Sequence, residues 1–237
     1  MLAVATTSAP VERTDPTTGA QRLLAAAIHG EFAGRIALTS SFGIEAAVLL
    51  HLVADIEPAL PVLFLDTGKL FGEPLRHRDR LVRRLGLRDV RTITPDSAAL
   101  AAADPQGTLW RSDPGRCCAL RKVEPLSRAL SGFDAWINGR RRAHGHARTA
   151  LAVRETVDGR VKLNPLAAWS DADIDGYMAR HDLPRHELAG DGFLSVGCQP
   201  CSERARPGDG TRDGRWRGQG RTECGIHLPQ RTATAHR

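Results

Sequence analysis

The chain has 237 residues, 41% of them hydrophobic and 25% charged, enough to bury one globular core. Its formal net charge of +6 is carried by arginine, because Lys69, Lys122 and Lys162 are its only lysines; that balance suits nucleic acid or a small polyanion and does not choose between them. No apolar run reaches membrane-span length, and the start MLAVATTSAPVERTD has no basic region followed by an apolar stretch, so the expectation is a cytoplasmic protein with no membrane partner.

In chain order, the polar residues 1–16 are expected to be disordered. A helix is predicted over 21–28 and a short strand over 35–39, running into a Ser/Gly turn. Ile44, Val48 and Leu52 recur at helical spacing, which predicts a helix over 44–53. The apolar run Val62–Leu65 predicts a strand ending in Asp66-Thr67-Gly68. A charged amphipathic helix over 74–85, stopped by Gly86, and a strand over Val90–Ile93 follow. Strand alternating with helix predicts an α/β fold, a parallel sheet covered on both faces. Beyond a loose Ala/Asp/Pro/Gly stretch, 117–130 has a helical pattern with Pro125 as a kink, and 135–138 predicts another strand ending in Gly139 and three arginines. Ser170 is placed to cap a helix over 174–180. After Gly190 regularity is lost. The division expected is a core over 17–190 and an irregular C-terminal tail over 191–237.

The five cysteines divide four and one. An odd number in a reducing compartment argues against a disulfide framework. Cys198 and Cys201 form a CxxC, which places two sulfurs on one side of a turn. Cys117 and Cys118 are adjacent; in a helical turn they diverge by about 100 degrees, so both can face one compact cluster. Arg116, Arg121 and Lys122 would offset the charge of four thiolates. Cys₄ zinc is the competing occupant, and the adjacent pair fits the wider sulfur spacing of a cubane better. Cys224 stands apart in Arg221-Thr-Glu-Cys-Gly-Ile-His227, with Arg212, Arg215 and Arg217 upstream. Cations at that density stabilise a thiolate and suit a nucleophile, while the spacing alone fits an incidental tail cysteine equally well. Ser40-Ser41-Phe42-Gly43 sits where a strand gives way to a helix, a place that favours an anion, though it lacks the GK[ST] ending of a Walker loop. Asp66, Thr67 and Gly68, together with Arg140, Arg141 and Arg142, are expected at the same sheet edge.

The segments SSFGIE, FLDTGKLF, RCCALRKVEPLSRAL, AWINGRRR, KLNPLAAWS, LSVGCQPC, GRW and ECGIH, in that order, resemble the assimilatory adenylyl-sulfate/phosphoadenylyl-sulfate reductase family over residues 21–227. The resemblance implies an adenine-nucleotide α-hydrolase-like fold with a modified PP-loop, in which Phe42 then Gly43 replace two glycines. It implies a [4Fe–4S] cluster on Cys117, Cys118, Cys198 and Cys201, there to order the site and shape its field, and Cys224 as the nucleophile. Lys122, Arg212, Arg215 and His227 match positions whose cations hold sulfate and phosphate. The substrate-binding set expected is Ser40, Ser41, Phe42, Gly43, Leu65, Asp66, Thr67, Gly68, Arg140 and Arg141.

The activity implied is reduction of adenylyl sulfate to sulfite and AMP, serving cysteine biosynthesis. An external thioredoxin or glutaredoxin-type reductant is expected, since ten residues follow His227; self-association is left open. The chain departs from the family pattern at Ala46, at Ala143-His144-Gly145-His146, and at His186, Ala189 and Phe193. Three alternatives stand beside this reading. One is the same chemistry on phosphoadenylyl sulfate. Another is a non-catalytic Cys₄-metal nucleic-acid binder, which the 5% aromatic content disfavours. The third is a PP-loop adenylating enzyme, which Phe42 disfavours.

Overall fold

The computed structural model describes residues 16–227, so the expectation of disorder over 1–16 lies, apart from Pro16, outside the described residues. Among them, six strands form one sheet: β1 (Ile36–Ser40), β2 (Val62–Leu65), β3 (Val90–Ile93), β4 (Ala135–Ile137), β5 (Arg154–Val157) and β6 (Arg160–Leu163). Their order is β3-β2-β1-β4-β6-β5. Leu38 pairs with Val62, Ile36 with Ala135 and Ala135 with Val161, all in parallel. β5 returns antiparallel to β6 through Asp158-Gly159, both at positive φ, so the sheet is mixed with one antiparallel edge.

Side chains alternate across each strand, and both faces are buried. Ile36, Leu38, Val62, Phe64, Ala135 and Ile137 join the larger core with α1 (Pro16–Ala25), α2 (Ala46–Ile56), α3 (Gly72–Leu85) and α8 (Asp171–Arg180). Ala37, Leu63 and Trp136 meet Leu126 and Leu130 on the other face. α2 buries Ala47, Val48, Leu49, Leu50, Leu52 and Val53, nearly its whole circumference, as the helix under the centre of the sheet must. α3 stops at Gly86, whose φ of 64 is open to glycine and whose N–H reaches the Val82 carbonyl. Ser170 and Asp173 cap α8 reciprocally.

The stretch read as loose holds α4 (Ser97–Ala103), capped by Asp96, and α5 (Leu109–Ser112). A helical run then passes through α6 (Pro114–Cys118), a π-turn (Ala119–Val123) and α7 (Glu124–Ala129). Pro125 has no N–H for the carbonyl four residues back, and the wider turn accommodates it. The first helix begins earlier than expected and continues through a π-turn to Glu31. Among the described residues after α9 (Glu187–Gly190), the one helical element is a 3-10 turn, Gln199–Cys201. No helix among the described residues is long and apolar enough to cross a membrane.

Because β1 leads by way of α2 to β2 on one side while β4 lies on the other, the strand order reverses beside β1. Such a switch point opens a crevice at the carboxyl ends of the strands. Gly159 (φ 74) sets the β5–β6 turn. Gly159→Val is expected to cost at least about 1–2 kcal/mol, read as a shift of the urea unfolding midpoint.

Candidate active site

A cavity of about 240 Å³ occupies that crevice. The turn after β1 supplies Ser40, Ser41 and Gly43, the end of β2 supplies Leu65 and Thr67, and the segment after β4 supplies Asn138, Gly139 and Arg140. The tail closes the far side with Arg212, Arg215, Trp216, Cys224, Ile226 and His227, and Lys122 reaches in from the π-turn.

Four residues of the expected substrate-binding set lie outside this wall. Phe42 is buried beneath it, edge-on to Phe64 at 5.5 Å, and holds φ 47 while its N–H donates to Ser40 Oγ at 3.1 Å. Asp66 accepts from the Gly68 N–H at 2.9 Å, so these two shape the turn itself. Arg141 is fully buried, paired with Glu45 and with Asp171 (2.7 Å), and it donates to the Trp169 carbonyl at 3.0 Å. Its charge is spent inside the protein, which ties the start of α2 to that of α8.

The four clustered cysteines all carry free, buried thiols and line one small pocket. Cys117 and Cys118 come from α6, and Cys198 and Cys201 flank the 3-10 turn of the tail. Leu70 bridges Cys198, and the Gln199 N–H donates to the Lys69 carbonyl at 2.7 Å, which docks the tail along the segment after β2. Thr67 Oγ1 lies 3.2 Å from Cys198 Sγ. Arg121, enclosed beside them, donates to the Thr67 carbonyl (2.8 Å) and to Asp104 (2.6 Å). Burial pushes the Cys118 thiol up to about 11. Burial also opposes ionisation of Cys198, but Lys122, the Thr67 hydroxyl and Arg215 outweigh it and lower its pKa. No group of three or more His, Cys, Asp or Glu side chains among the described residues is arranged to hold a single metal ion. A set of four thiols from two segments, with cations close by, fits a larger sulfur-bound cluster.

Lys122 lines both the cavity and the cysteine pocket. Desolvation works against its charge, yet Cys198 and Cys224 more than compensate, and its pKa is raised. Arg215 lies on the Trp216 ring at 4.4 Å and donates to the carbonyls of Val196 (2.9 Å) and Cys201 (3.2 Å). A Cβ on Gly197 would stand 2.1 Å from its Nη2, so only glycine admits this guanidinium. Arg212 donates to the Thr222 carbonyl at 3.0 Å. Desolvation lowers its pKa to about 10, which leaves it charged at neutral pH.

His227 differs from the expectation of a fourth cation. Desolvation, then Lys162, Arg140, Arg148 and Arg212, hold its pKa well below the usual imidazole range, so it is neutral at neutral pH. Its ring stacks on Trp136 with centroids 5.7 Å apart, and its carbonyl accepts from Lys162 Nζ at 3.2 Å.

Sequence reasoning missed Asp104, Arg148, Lys162 and Glu223. Arg148 grips Glu223 through Nε (2.5 Å) and Nη2 (3.0 Å), beside Cys224. The proximity of Glu223 to Cys224 in ECGIH was the one available signal; Arg148 is one arginine among many.

Gly197→Ala is expected to expel Arg215 and cost about 1–3 kcal/mol by overpacking, measured by urea unfolding. Lys162 is fully buried, and desolvation with Arg140 lowers its pKa to about 7. A lowered basic pKa means that the unfolded chain binds the extra proton between about 7 and 10.5, so stability rises with pH across that window. The penalty is complete below about pH 7. Lys162→Met is therefore expected to gain most on the wild type near pH 6 and least near pH 10, by denaturation at each pH.

Residues 35–204 match the phosphoadenosine phosphosulfate reductase domain family. A Mesorhizobium japonicum protein named adenosine 5'-phosphosulfate reductase is 49% identical over 197 residues, covering 83% of this chain and 78% of its own. The crystal structure of phosphoadenylyl-sulfate reductase from Candida auris, a phosphate complex, superposes with TM-score 0.66 at 25% identity, over 77% of this chain and 89% of that one. The ATP complex of Candida glabrata FMN adenylyltransferase shares the fold alone, with TM-score 0.57 at 18% identity over 77% of this chain and 60% of that one. The expected α/β architecture, a mostly parallel sheet flanked by helices of the PP-loop type, therefore stands. On the family match over most of its length and on near half-identity to the Mesorhizobium protein, the chain belongs to the phosphoadenosine phosphosulfate reductase domain family.

Proposed function

We propose that the protein reduces adenylyl sulfate to sulfite and AMP, with Cys224 as nucleophile and an external dithiol as reductant. One observation carries this reading: Cys224 stands on the wall of a strand-end cavity together with Lys122, Arg212 and Arg215. A thiolate there faces an anionic substrate across three cations. They screen the approach and stabilise the charge that moves to the leaving phosphate.

In the first step the Cys224 thiolate attacks the sulfur of the sulfo group. The bond from that sulfur to the bridging oxygen breaks, AMP leaves with the electron pair, and Cys224 carries an S-sulfonate. A thiolate of the reductant then attacks the Cys224 sulfur, and sulfite departs with the electrons of the S–S bond. The second thiol of the reductant resolves the mixed disulfide, so the dithiol supplies both electrons. Ser40, Ser41 and Gly43, at the turn between β1 and α2, are the proposed phosphate seat, with Arg140 at its edge. The Leu65 side of the crevice is the proposed place for the base.

Cys117, Cys118, Cys198 and Cys201 are the residues that would hold a [4Fe–4S] cluster. Bound there, it would tie α6 to the tail and set the field at Lys122. The paired cysteines support adenylyl sulfate over the 3′-phosphorylated nucleotide, and assaying both side by side separates the two.

Protein mixed with adenylyl sulfate without thiol is expected to gain a sulfonate on Cys224, located by peptide mass spectrometry. Cys224→Ser should form none. Lys122→Ala should slow its formation by about 10²-fold. An adduct on another cysteine, or none, would count against the mechanism.

A further inference from the structure

A chain of polar side chains runs along the cavity wall from the start of α2 to the segment bearing Cys224. Glu45 directly precedes α2. Its Oε2 lies 3.0 Å from His144 Nε2. His144 Nδ1 lies 2.9 Å from Arg148 Nη1, and the Arg141 backbone N–H donates to it at 3.3 Å. Arg148 then grips both carboxylate oxygens of Glu223. Glu45, His144, Arg148 and Glu223 all face the cavity.

The chemistry of the partners fixes the protons. An ionised carboxylate cannot donate and a guanidinium cannot accept. His144 must therefore give Nε2–H to Glu45 and take a hydrogen bond at Nδ1, which makes it the neutral Nε2–H tautomer. The charges facing it are Glu45 and Arg141 on one side and Arg148 on the other. Burial would raise the Glu45 carboxyl, but His144 and Arg141 hold it down at about 2, so it stays ionised. At the other end Glu223 is a negative charge beside the nucleophile, in a cavity read as built for an anion. Arg148, with Arg212 at 3.4 Å, neutralises it. Without a correctly aimed Arg148, that carboxylate would repel the incoming sulfonucleotide and the Cys224 segment would lose its anchor.

We propose that His144 and Arg148 are positioning residues, which align Glu223 and thereby hold Cys224 against the nucleotide turn through a relay that begins at Glu45. The proposal rests on Cys224 being the nucleophile. Protonation of His144 would set an N–H against the Arg148 guanidinium and break the relay at its middle, so alignment is lost on acidification.

The test is single-turnover sulfonation of Cys224 in the purified wild-type enzyme, with adenylyl sulfate and no reductant, followed by rapid quench and mass spectrometry across pH. His144→Leu is expected to lower the rate about 10- to 100-fold while thermal unfolding stays near that of the wild type. His144→Gln, whose amide offers both a donor and an acceptor, should recover most of the rate at neutral pH and lose the part of the wild type's acid limb that protonation of His144 causes, leaving only that from protonation of the thiolate itself. An unchanged rate in folded His144→Leu would overturn the proposal. So would an acid limb that persists unaltered in His144→Gln, even if His144→Leu fails to fold. Absence of any Cys224 adduct in the wild type would instead sink the underlying reading of the nucleophile.

Discussion

The structure turns on the ammonium of Lys122, held between Cys198 on one side and Cys224 on the other, in the wall that separates the cysteine pocket from the cavity. A cation taken out of water is tolerated only beside matching negative charge. Cys198 and Cys224 lie close enough to raise the pKa of Lys122, and Lys122 in turn helps lower that of Cys198. Arg215 reaches the same sulfurs from the tail, Cys224, Cys198, Cys201 and Cys118, but there desolvation outweighs them and its pKa is lowered. Lys122 and Cys198 each favour the charged form of the other. This mutual dependence is why an irregular tail can be held in a defined place.

The fold's part is to bring four distant segments to that wall. β1 and β2 end in the turns that form the cavity floor, and β4 leads into Arg140 on the opposite flank. The π-turn after α6 carries Lys122, and the tail crosses over to deliver Cys198, Arg215 and Cys224. Arg121 with Asp104 and the Thr67 carbonyl, Gly197 under Arg215, and Arg148 with Glu223 are the fastenings. Each joins the tail or the π-turn to the core through a hydrogen bond or close approach that other side chains would not satisfy. Two arginines in this region, Arg121 and Arg141, act inside the protein, so the basic composition overstates the charge open to a ligand.

Elements with strong local signals were legible. β2 and β3 have the bounds expected from their apolar runs, and the Ser170 cap and the helical cysteine pair follow from local hydrogen bonding and turn geometry. The β5–β6 hairpin was missed although Asp158-Gly159 is a strong turn signal, because its edge strand carries charged residues and offers no apolar run. α4 was missed because an alanine run buries no face; Asp96 holds its start. The burial of Arg141 and the neutral state of His227 were not legible for another reason. A side chain's charge state and direction depend on partners distant in sequence, here Glu45 and Asp171 for one and a ring of cations for the other. Arg148 was hidden by composition, since nothing local marks it among its neighbours.

The five thiols divide in two: Cys117, Cys118, Cys198 and Cys201 line the small pocket, where iron is proposed to bind, and Cys224 lines the cavity, where it is proposed to react. Iron and acid-labile sulfide, quantified in anaerobically purified protein with each cysteine changed to serine in turn, test this division most directly. The account expects both to be present in the wild type and in Cys224→Ser, and to be lost when Cys117, Cys118, Cys198 or Cys201 is changed. Wild-type protein without iron and sulfide, or a Cys224→Ser variant that loses them as the other four do, would contradict it.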